Sequence, residues 1–238
     1  MRDALWCVAD AHFEPADPAL EVFGDLLEAF RGSTAGVLAL MGDLFSVWIG
    51  VEGAQGEEHR FVTRRLNALR KCGKRVVYLT GNRDYLLENI HPVPFDRLAD
   101  AWDWTSAAGE RFHFEHGDLI NTADAAYLRW RSFSRSASTL GLFRQLPRAA
   151  QDAVARALQR KMAPTNRTYK AYEPEREMRR WAEDLVQRGY GGAVLGHFHR
   201  DVEITVAGLR IRMLPQFRED GAHLRIMGDG SWKLHRLR

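Results

Sequence analysis

Two histidines close the segment Gly196-His197-Phe198-His199, and four further polar clusters lie upstream of them: Asp10-Ala11-His12, Gly42-Asp43, Gly81-Asn82-Arg83-Asp84 and His116-Gly117-Asp118. Carboxylate and amide oxygens mixed with imidazole nitrogens suit divalent ions such as Mn, Zn or Fe. A lone Asp after a strand is often only a turn or cap residue. An ordered series of such clusters carries more weight, because several ligands must converge to hold one ion.

Each cluster follows a short apolar run that reads as a strand. The runs are Leu5-Trp6-Cys7-Val8, Val37-Leu38-Ala39-Leu40, Val76-Val77-Tyr78-Leu79, Phe112-His113-Phe114 and Ala193-Val194-Leu195. Strands that end on one edge of a sheet can aim their terminal side chains at one point. Between them, residues 18–31 place Leu20, Val22, Phe23, Leu26, Leu27 and Phe30 at helical spacing, with Pro18 near the start and Gly32 past the end. Residues 57–72 repeat the pattern with Phe61, Val62, Leu66 and Leu69, stopping at Cys72-Gly73. This alternation predicts an α/β core built from βαβ units.

Short strands are expected around 101–106 and 110–116, and a helix over 174–188. Residues 123–162 read as a long Arg-rich, aromatic helical segment broken near Gly141 and Pro147. The C-terminal part reads as hairpins. Segments 202–206 and 209–214 flank Ala207-Gly208, and 224–227 and 232–237 flank Gly228-Asp229-Gly230. Trp102, Trp104 and Trp232 fit core or strand-pair positions, and His91, His113, His223 and His235 fit structural or surface roles.

A chain of 238 residues can bury a substantial core as one domain, here taken as 1–238. The 34 Lys plus Arg against 31 Asp plus Glu leave only +3, which is no nucleic-acid-binding composition. The charge is uneven, however. Between 123 and 163 stand Arg129, Arg131, Arg135, Arg144, Arg148, Arg156, Arg160 and Lys161, against Asp124 and Asp152 alone. That surface invites an anionic partner, or is a solvated helix face. Cys7 and Cys72 are expected to be reduced thiols in a cytoplasmic setting. No secretory signal is visible, and no apolar stretch approaches the roughly 20 residues of a membrane span.

The ordered set Asp-x-His, Gly-Asp, Gly-Asn-Arg-Asp, His-Gly-Asp and Gly-His-x-His resembles the calcineurin-like metallophosphoesterases over most of the chain. The resemblance implies a four-layer αββα sandwich (α/β, of the α+β kind) with a two-metal site at the sheet edge. It implies Asp10, His12 and His199 on one metal, Asn82, His116 and His197 on the other, and Asp43 bridging. Two cations ~3.5–4 Å apart can acidify a trapped water and neutralise phosphoryl charge. Mn2+ is the expected ion, with Zn2+, Fe2+ or Mg2+ as alternatives. The family pattern places a histidine where Arg83 stands. Arginine cannot donate a proton usefully, but it grips phosphate in two-pronged fashion. That favours a leaving group needing no proton, such as a phosphate released from a diphosphate. The bland alternative is an Arg83–Asp84 surface pair.

The extended forms around Gly42-Asp43, Gly81-Asn82 and His116-Gly117-Asp118, followed by Thr122, Asp124, Tyr127 and Arg131, are similar to the UDP-2,3-diacylglucosamine diphosphatase branch of lipid A synthesis. This branch implies cleavage of a lipid-linked nucleotide to UMP and 2,3-diacylglucosamine 1-phosphate on the cytoplasmic face of the inner membrane. It implies a helical lid over 123–165 and catalytic roles for Asn82, Arg83 and His116. Implied substrate contacts are Asn82, Arg83, Asp124, Asn166, His197 and a lysine: Tyr169 falls on the simplest register, with Lys170 adjacent. Leu214-Pro215-Gln216-Phe217 departs from the branch's Gly-x-Trp-like segment. In the insertion, Leu128, Trp130, Phe133, Leu140, Leu142, Phe143 and Leu146 can hold acyl chains and, with the arginines, rest on a membrane surface. They can equally pack on one another and on the core. Another metallophosphoesterase activity and a non-catalytic scaffold are the competing readings.

Overall fold

The computed structural model describes residues 3–162 and 174–237. Its strands are β1 (Asp3–Val8), β2 (Val37–Leu40), β3 (Trp48–Ile49), β4 (Arg75–Leu79), β5 (Asp84–Tyr85), β6 (Arg97–Ala99), β7 (Ala101–Thr105), β8 (Arg111–Glu115), β9 (Gly192–Leu195), β10 (Val202–Val206), β11 (Leu209–Met213), β12 (His223–Met227) and β13 (Trp232–His235). Its helices are α1 (Ala19–Gly32), α2 (Glu57–Lys71), α3 (Ala125–Ser134), α4 (Ala137–Gln145), α5 (Arg148–Met162), α6 (Glu175–Gln187) and α7 (Phe217–Asp220).

The strands form two main sheets. One has the order β13-β12-β1-β2-β4-β6, the other β10-β11-β9-β8-β7. Strands β1, β2, β4 and β6 run parallel, as do β8 and β9. The central strands alternate their side chains between two buried faces, whereas edge strands such as β10 and β13 are partly exposed. Trp6, Val8, Leu38, Leu40, Val76 and Tyr78 face a core completed by Phe23, Leu26 and Phe30 of α1 and by Val62, Leu66 and Leu69 of α2. The intervening Leu5, Cys7, Ala39, Val77 and Leu79 meet Phe112, Phe114 and Val194 of the second sheet. On that sheet's far side, Ala193, Leu195, Ile211 and Met213 receive Met178, Ala182 and Leu185 of α6. Helix, sheet, sheet, helix is thus the layer order, the four-layer sandwich expected. Two facing sheets buried on both sides explain why the strands read as continuous apolar runs. Truncating a ring such as Phe114 at the middle interface would cost about 3–5 kcal/mol.

The helices at 18–31, 57–72 and 174–188 and both C-terminal hairpins lie within a residue or two of expectation. The 123–162 segment is helical, but its first break differs. The chain breaks at Arg135-Ser136, where Ser136 caps α4 by accepting from Thr139 N, and Gly141 sits inside α4. A serine N-cap satisfies a free helix N–H and outweighs the modest cost of a glycine within a helix. The break near Pro147 is where expected. Helices α3 and α4 bury no side chain, whereas α5 docks Ala155 and Leu158 on Val47, Ile49, Ala54 and Tyr85. Cys7 and Cys72 are free thiols.

Candidate metal centre

The C-terminal ends of β1, β2, β4, β8 and β9 open on one edge of the sandwich, and every predicted metal residue lies within four residues of one of them. The backbone there is unusual. Among the described residues, the non-glycine positions with positive φ include Asp10 (51°), His12 (45°), Asp43 (50°), His197 (64°) and His199 (53°). Left-handed conformations cost non-glycine residues about 1–3 kcal/mol and concentrate at functional sites. Gly42 and Gly81 let these loops touch. A Cβ on Gly42 would lie 2.6 Å from Gly81 N and 2.9 Å from His116 Nδ1, and one on Gly81 would lie 2.2 Å from Asp43 Oδ1.

Two groups of lone-pair atoms converge. In the first, His199 Nε2 lies 3.1 Å from both His12 Nε2 and Asp10 Oδ1. In the second, His116 Nε2 lies 3.2 Å from Asn82 Oδ1 and 3.6 Å from Asp43 Oδ2. His116 Nδ1 meets the Met41 carbonyl at 2.8 Å, and a carbonyl can only accept, so Nδ1 carries the proton and Nε2 offers a lone pair. Asn82 Oδ1 also faces Asp43 Oδ2 at 3.1 Å. Acceptors packed this closely repel one another unless a cation lies between them. Turned over, the Asn82 amide would instead donate to Asp43 Oδ2 and His116 Nε2 and accept from Arg83 Nε at 3.2 Å. Whichever way that amide lies, the carboxylates and imidazoles fit divalent metal ions. Candidate groupings within metal-binding reach are Asp10, His12 and His199, and Asp10, Asp43 and His116, so Asp10 belongs to both. Asp10, Asp43 and His116 are fully buried.

His197 stands at the rim of this set. Its backbone N–H donates to Asp10 Oδ2 at 2.7 Å, and its ring centre lies 5.1 Å from that of His116. Arg83 is buried rather than on the surface, and its backbone N–H donates to Asp43 Oδ1 at 2.8 Å.

Behind the ligands stands Asp84. It accepts from Gly81 N (2.8 Å), Asp43 N (3.1 Å) and the Tyr78 hydroxyl (3.0 Å). Burial, then the Asp43 charge, push its carboxyl up to about 7. Asp118 is similarly buried and accepts from Tyr127 and Arg131. Burial alone would raise it, but His116, Arg131 and the Tyr127 hydroxyl together hold it below the usual carboxylate range. Asp84 and Asp118 are parts of the quoted motifs whose supporting role sequence reasoning missed.

No family model matches the sequence. A UDP-2,3-diacylglucosamine hydrolase of Pseudomonas aeruginosa is 31% identical over 211 residues, covering 82% of each chain. Another protein of that name, from Xanthomonas campestris, is 29% identical over 245 residues, covering 94% of this chain and 95% of its own. This chain belongs to the UDP-2,3-diacylglucosamine hydrolase family. The solved structure of an archaeal phosphodiesterase shares the fold, with a TM-score of 0.53 over 98% of this chain and 99% of that one at 11% identity. The chain is accordingly a hydrolase with the metallophosphoesterase fold.

Within this hydrolase the remaining predicted residues are placed unevenly. Asp124 is exposed and serves as the N-cap of α3, accepting from Tyr127 N at 2.9 Å. Asn166, Tyr169 and Lys170 lie outside the described residues. Trp130, Phe133 and Leu142 of the insertion are exposed, while Leu128, Leu140, Phe143 and Leu146 are half-buried. A cavity of about 980 Å³ opens between α2 and the α4–α5 elbow. Val51, Ile90, Pro92 and Phe143 give it apolar wall, Arg60 and Arg64 basic wall, and no predicted metal residue lines it. No helix among the described residues is long and apolar enough to cross a membrane.

Proposed function

We propose that the chain hydrolyses the diphosphate of UDP-2,3-diacylglucosamine to UMP and 2,3-diacylglucosamine 1-phosphate at a centre of two divalent ions, with Mn2+ the preferred metal. The observation that carries this reading is the convergence of Asp10, His12 and His199 beside Asp43, Asn82 and His116, in a chain whose relatives bear that substrate in their name. Asp10, His12 and His199 would hold one ion, Asn82, His116 and His197 the other, with Asp43 between them. Bound there, divalent ions supply positive charge to phosphoryl oxygens and acidify water near neutral pH.

The protein's own groups do the rest. His116 presents Nε2 because its Nδ1 proton is committed to Met41. Arg83 stands beside Asn82 and can grip a phosphate oxygen, stabilising a departing phosphate without supplying a proton. Asp124, Asn166 and Lys170, with His197, are the proposed substrate contacts. Residues 1–238 would form one domain in which 123–165 is a helical lid. The exposed Trp130, Phe133 and Leu142, set among arginines, suit acyl chains and an anionic membrane surface on the cytoplasmic side.

The test is turnover of a UDP-diacylglucosamine substrate with added Mn2+, beside a simple phosphodiester, on protein whose metal content is measured. UMP release at a rate far above diester cleavage, from protein binding two equivalents of metal, is the expected result. Cleavage of the diester alone would move the assignment to another phosphodiesterase. Protein that takes up no metal and turns over neither would leave the scaffold reading.

A further inference from the structure

Helix α3 carries Tyr127, Arg131 and its C-cap Arg135 at four-residue intervals, so the three side chains rise on one face. The Tyr127 hydroxyl and Arg131 Nε (2.8 Å) both donate to Asp118 Oδ2, two residues beyond His116. Arg131 Nη2 also reaches Asp100 Oδ1 at 3.3 Å, and Arg135 Nη1 lies 3.6 Å from the same oxygen. Arg135 then reaches further in. Its Nη2 donates to the carbonyls of Gly81 and Asp84 (3.0 Å to the latter), the peptide oxygens on either side of Asn82 and Arg83. Its Nη1 meets Thr80 Oγ1 at 3.4 Å, and its guanidinium stands 5.5 Å from the centre of the Tyr85 ring.

No side chain of α3 is fully buried and its Leu128 is half-buried, so apolar packing alone is a weak anchor and the polar stripe adds to it. The contact works in both directions: what holds the helix also holds the loop. From inside the protein, Asp84 grips Gly81 N and Asp43 N. From outside, Arg135 grips the two carbonyls. A planar guanidinium presents several donors at fixed angles and can hold two acceptors in one geometry, which a lysine ammonium cannot.

We propose that Arg135 is a positioning residue: it clamps the 80–85 loop so that Asn82 and Arg83 face Asp43 and His116, and through Arg131 and Asp118 it couples that loop to the segment after His116. Its consequence for metal and phosphate rests on the function proposed above, whereas the restraint on the loop does not.

The test uses the full chain with Arg135→Ala and Arg135→Lys. Hydrogen exchange in residues 80–86 is compared with exchange in the β10–β11 hairpin, and Mn2+ affinity is measured by competition with a chelating dye. Arg135→Ala should speed exchange in 80–86 at least tenfold while leaving the hairpin unchanged. Losing a direct outer partner of a metal ligand weakens metal binding by about 10- to 100-fold. Arg135 holds the carbonyls that flank Asn82 rather than the ligand itself, so a loss near the lower end, about tenfold, is expected. On substrate, kcat should fall more than KM rises. Arg135→Lys should fall between, and it carries the test if the alanine variant fails to fold. Exchange in 80–86 within twofold of the unaltered protein, in whichever variant folds, would overturn the proposal. If the loop loosens but the unaltered protein takes up no Mn2+, the clamp stands and the metal reading fails. If Mn2+ binds and the loop does not loosen, the clamp fails alone.

Discussion

The main-chain N–H of Asp43 donates to Asp84 Oδ2 at 3.1 Å, so one buried carboxylate holds the backbone that presents another. Asp84 also takes Gly81 N–H and the Tyr78 hydroxyl, tying the ends of β2 and β4 together. Asp84→Ala would leave two buried backbone donors without this acceptor, a loss of about 2–6 kcal/mol at about 1–3 each, partly offset by relief of the buried charge beside Asp43. Tyr78→Phe removes the hydroxyl's donation to Asp84 Oδ1 and the long 3.5 Å bond it accepts from Leu44 N, and should cost less, about 1–2 kcal/mol. Urea unfolding in the presence of a chelator, which separates folding from metal binding, checks both. Equal losses in the two variants would refute the hub role of Asp84.

Asp43→Ala should abolish both activity and most metal binding, because Asp43 is proposed to touch both ions. Asp10 belongs to both candidate groupings and receives His197 N–H, so Asp10→Ala should be comparably damaging. His199→Ala removes a group from the Asp10–His12–His199 cluster only and should leave one metal equivalent bound. Metal analysis after dialysis distinguishes these patterns. Retention of two equivalents by Asp43→Ala would remove it as the bridge.

Arg83→Ala should lower activity on the diphosphate by about 10²- to 10³-fold, the usual loss for removing one preorganised donor at a developing charge. An activated ester with a good leaving group needs little such help and should lose far less. The ratio of the two kcat/KM values is the readout. Equal losses would mean that Arg83 orders the site without stabilising the departing phosphate.

His113 gives the stability a pH dependence from the side of β8 that faces Trp181 of α6. Its Nδ1 lies 2.7 Å from Asp103 Oδ1 and its Nε2 3.5 Å from Glu115 Oε2, with Tyr190, Trp181 and Arg111 also around this cluster. Burial pulls the imidazole down, but the two carboxylates outweigh it and the net shift is upward. A histidine whose folded pKa is raised binds its proton more tightly when folded. Its contribution is complete below the unfolded value of about 6.5 and is lost as pH rises through the higher folded value. Stability should therefore decline as pH climbs through that window, and His113→Gln should flatten the decline. A variant with the same slope as the unaltered protein would place the effect elsewhere.

These relationships differ in how far the sequence shows them. The strand-end clusters are readable because strands buried on both faces are unbroken apolar runs, and the polar residue that ends each run stands out. The break at Arg135-Ser136 is hidden: a capping serine among arginines and serines interrupts no apolar period, whereas Gly141 looks like a stop and is not one. Asp84 looks like a ligand or a surface partner of Arg83. Only the approach of Tyr78, Gly81 and Asp43 in space makes it a hub. Likewise Tyr127, Arg131 and Arg135, four residues apart, read as a solvated face until Asp118 and the 80–85 carbonyls are seen to meet them.

The insertion offers the sharpest test of the lipid substrate. Trp130, Phe133 and Leu142 are exposed and add little to the core, so Trp130→Ser, Phe133→Ser and Leu142→Ser together should leave the melting temperature nearly unchanged. If those side chains receive acyl chains, each buried methylene contributes roughly 0.8 kcal/mol. Shortening each of two chains by two carbons would then cost about 3 kcal/mol, over a hundredfold in affinity if every methylene is buried. The unaltered protein should show a graded fall of kcat/KM with acyl length, and the triple variant a much shallower one. Blocking the cavity beside Phe143 with Ala68→Trp asks whether the chains run there instead. A steep length dependence that survives the triple variant but not Ala68→Trp would move the acyl site from the insertion's outer face to the cleft against α2. No length dependence in any of the proteins would mean that the insertion binds no lipid, and the diacyl substrate would lose its main physical support.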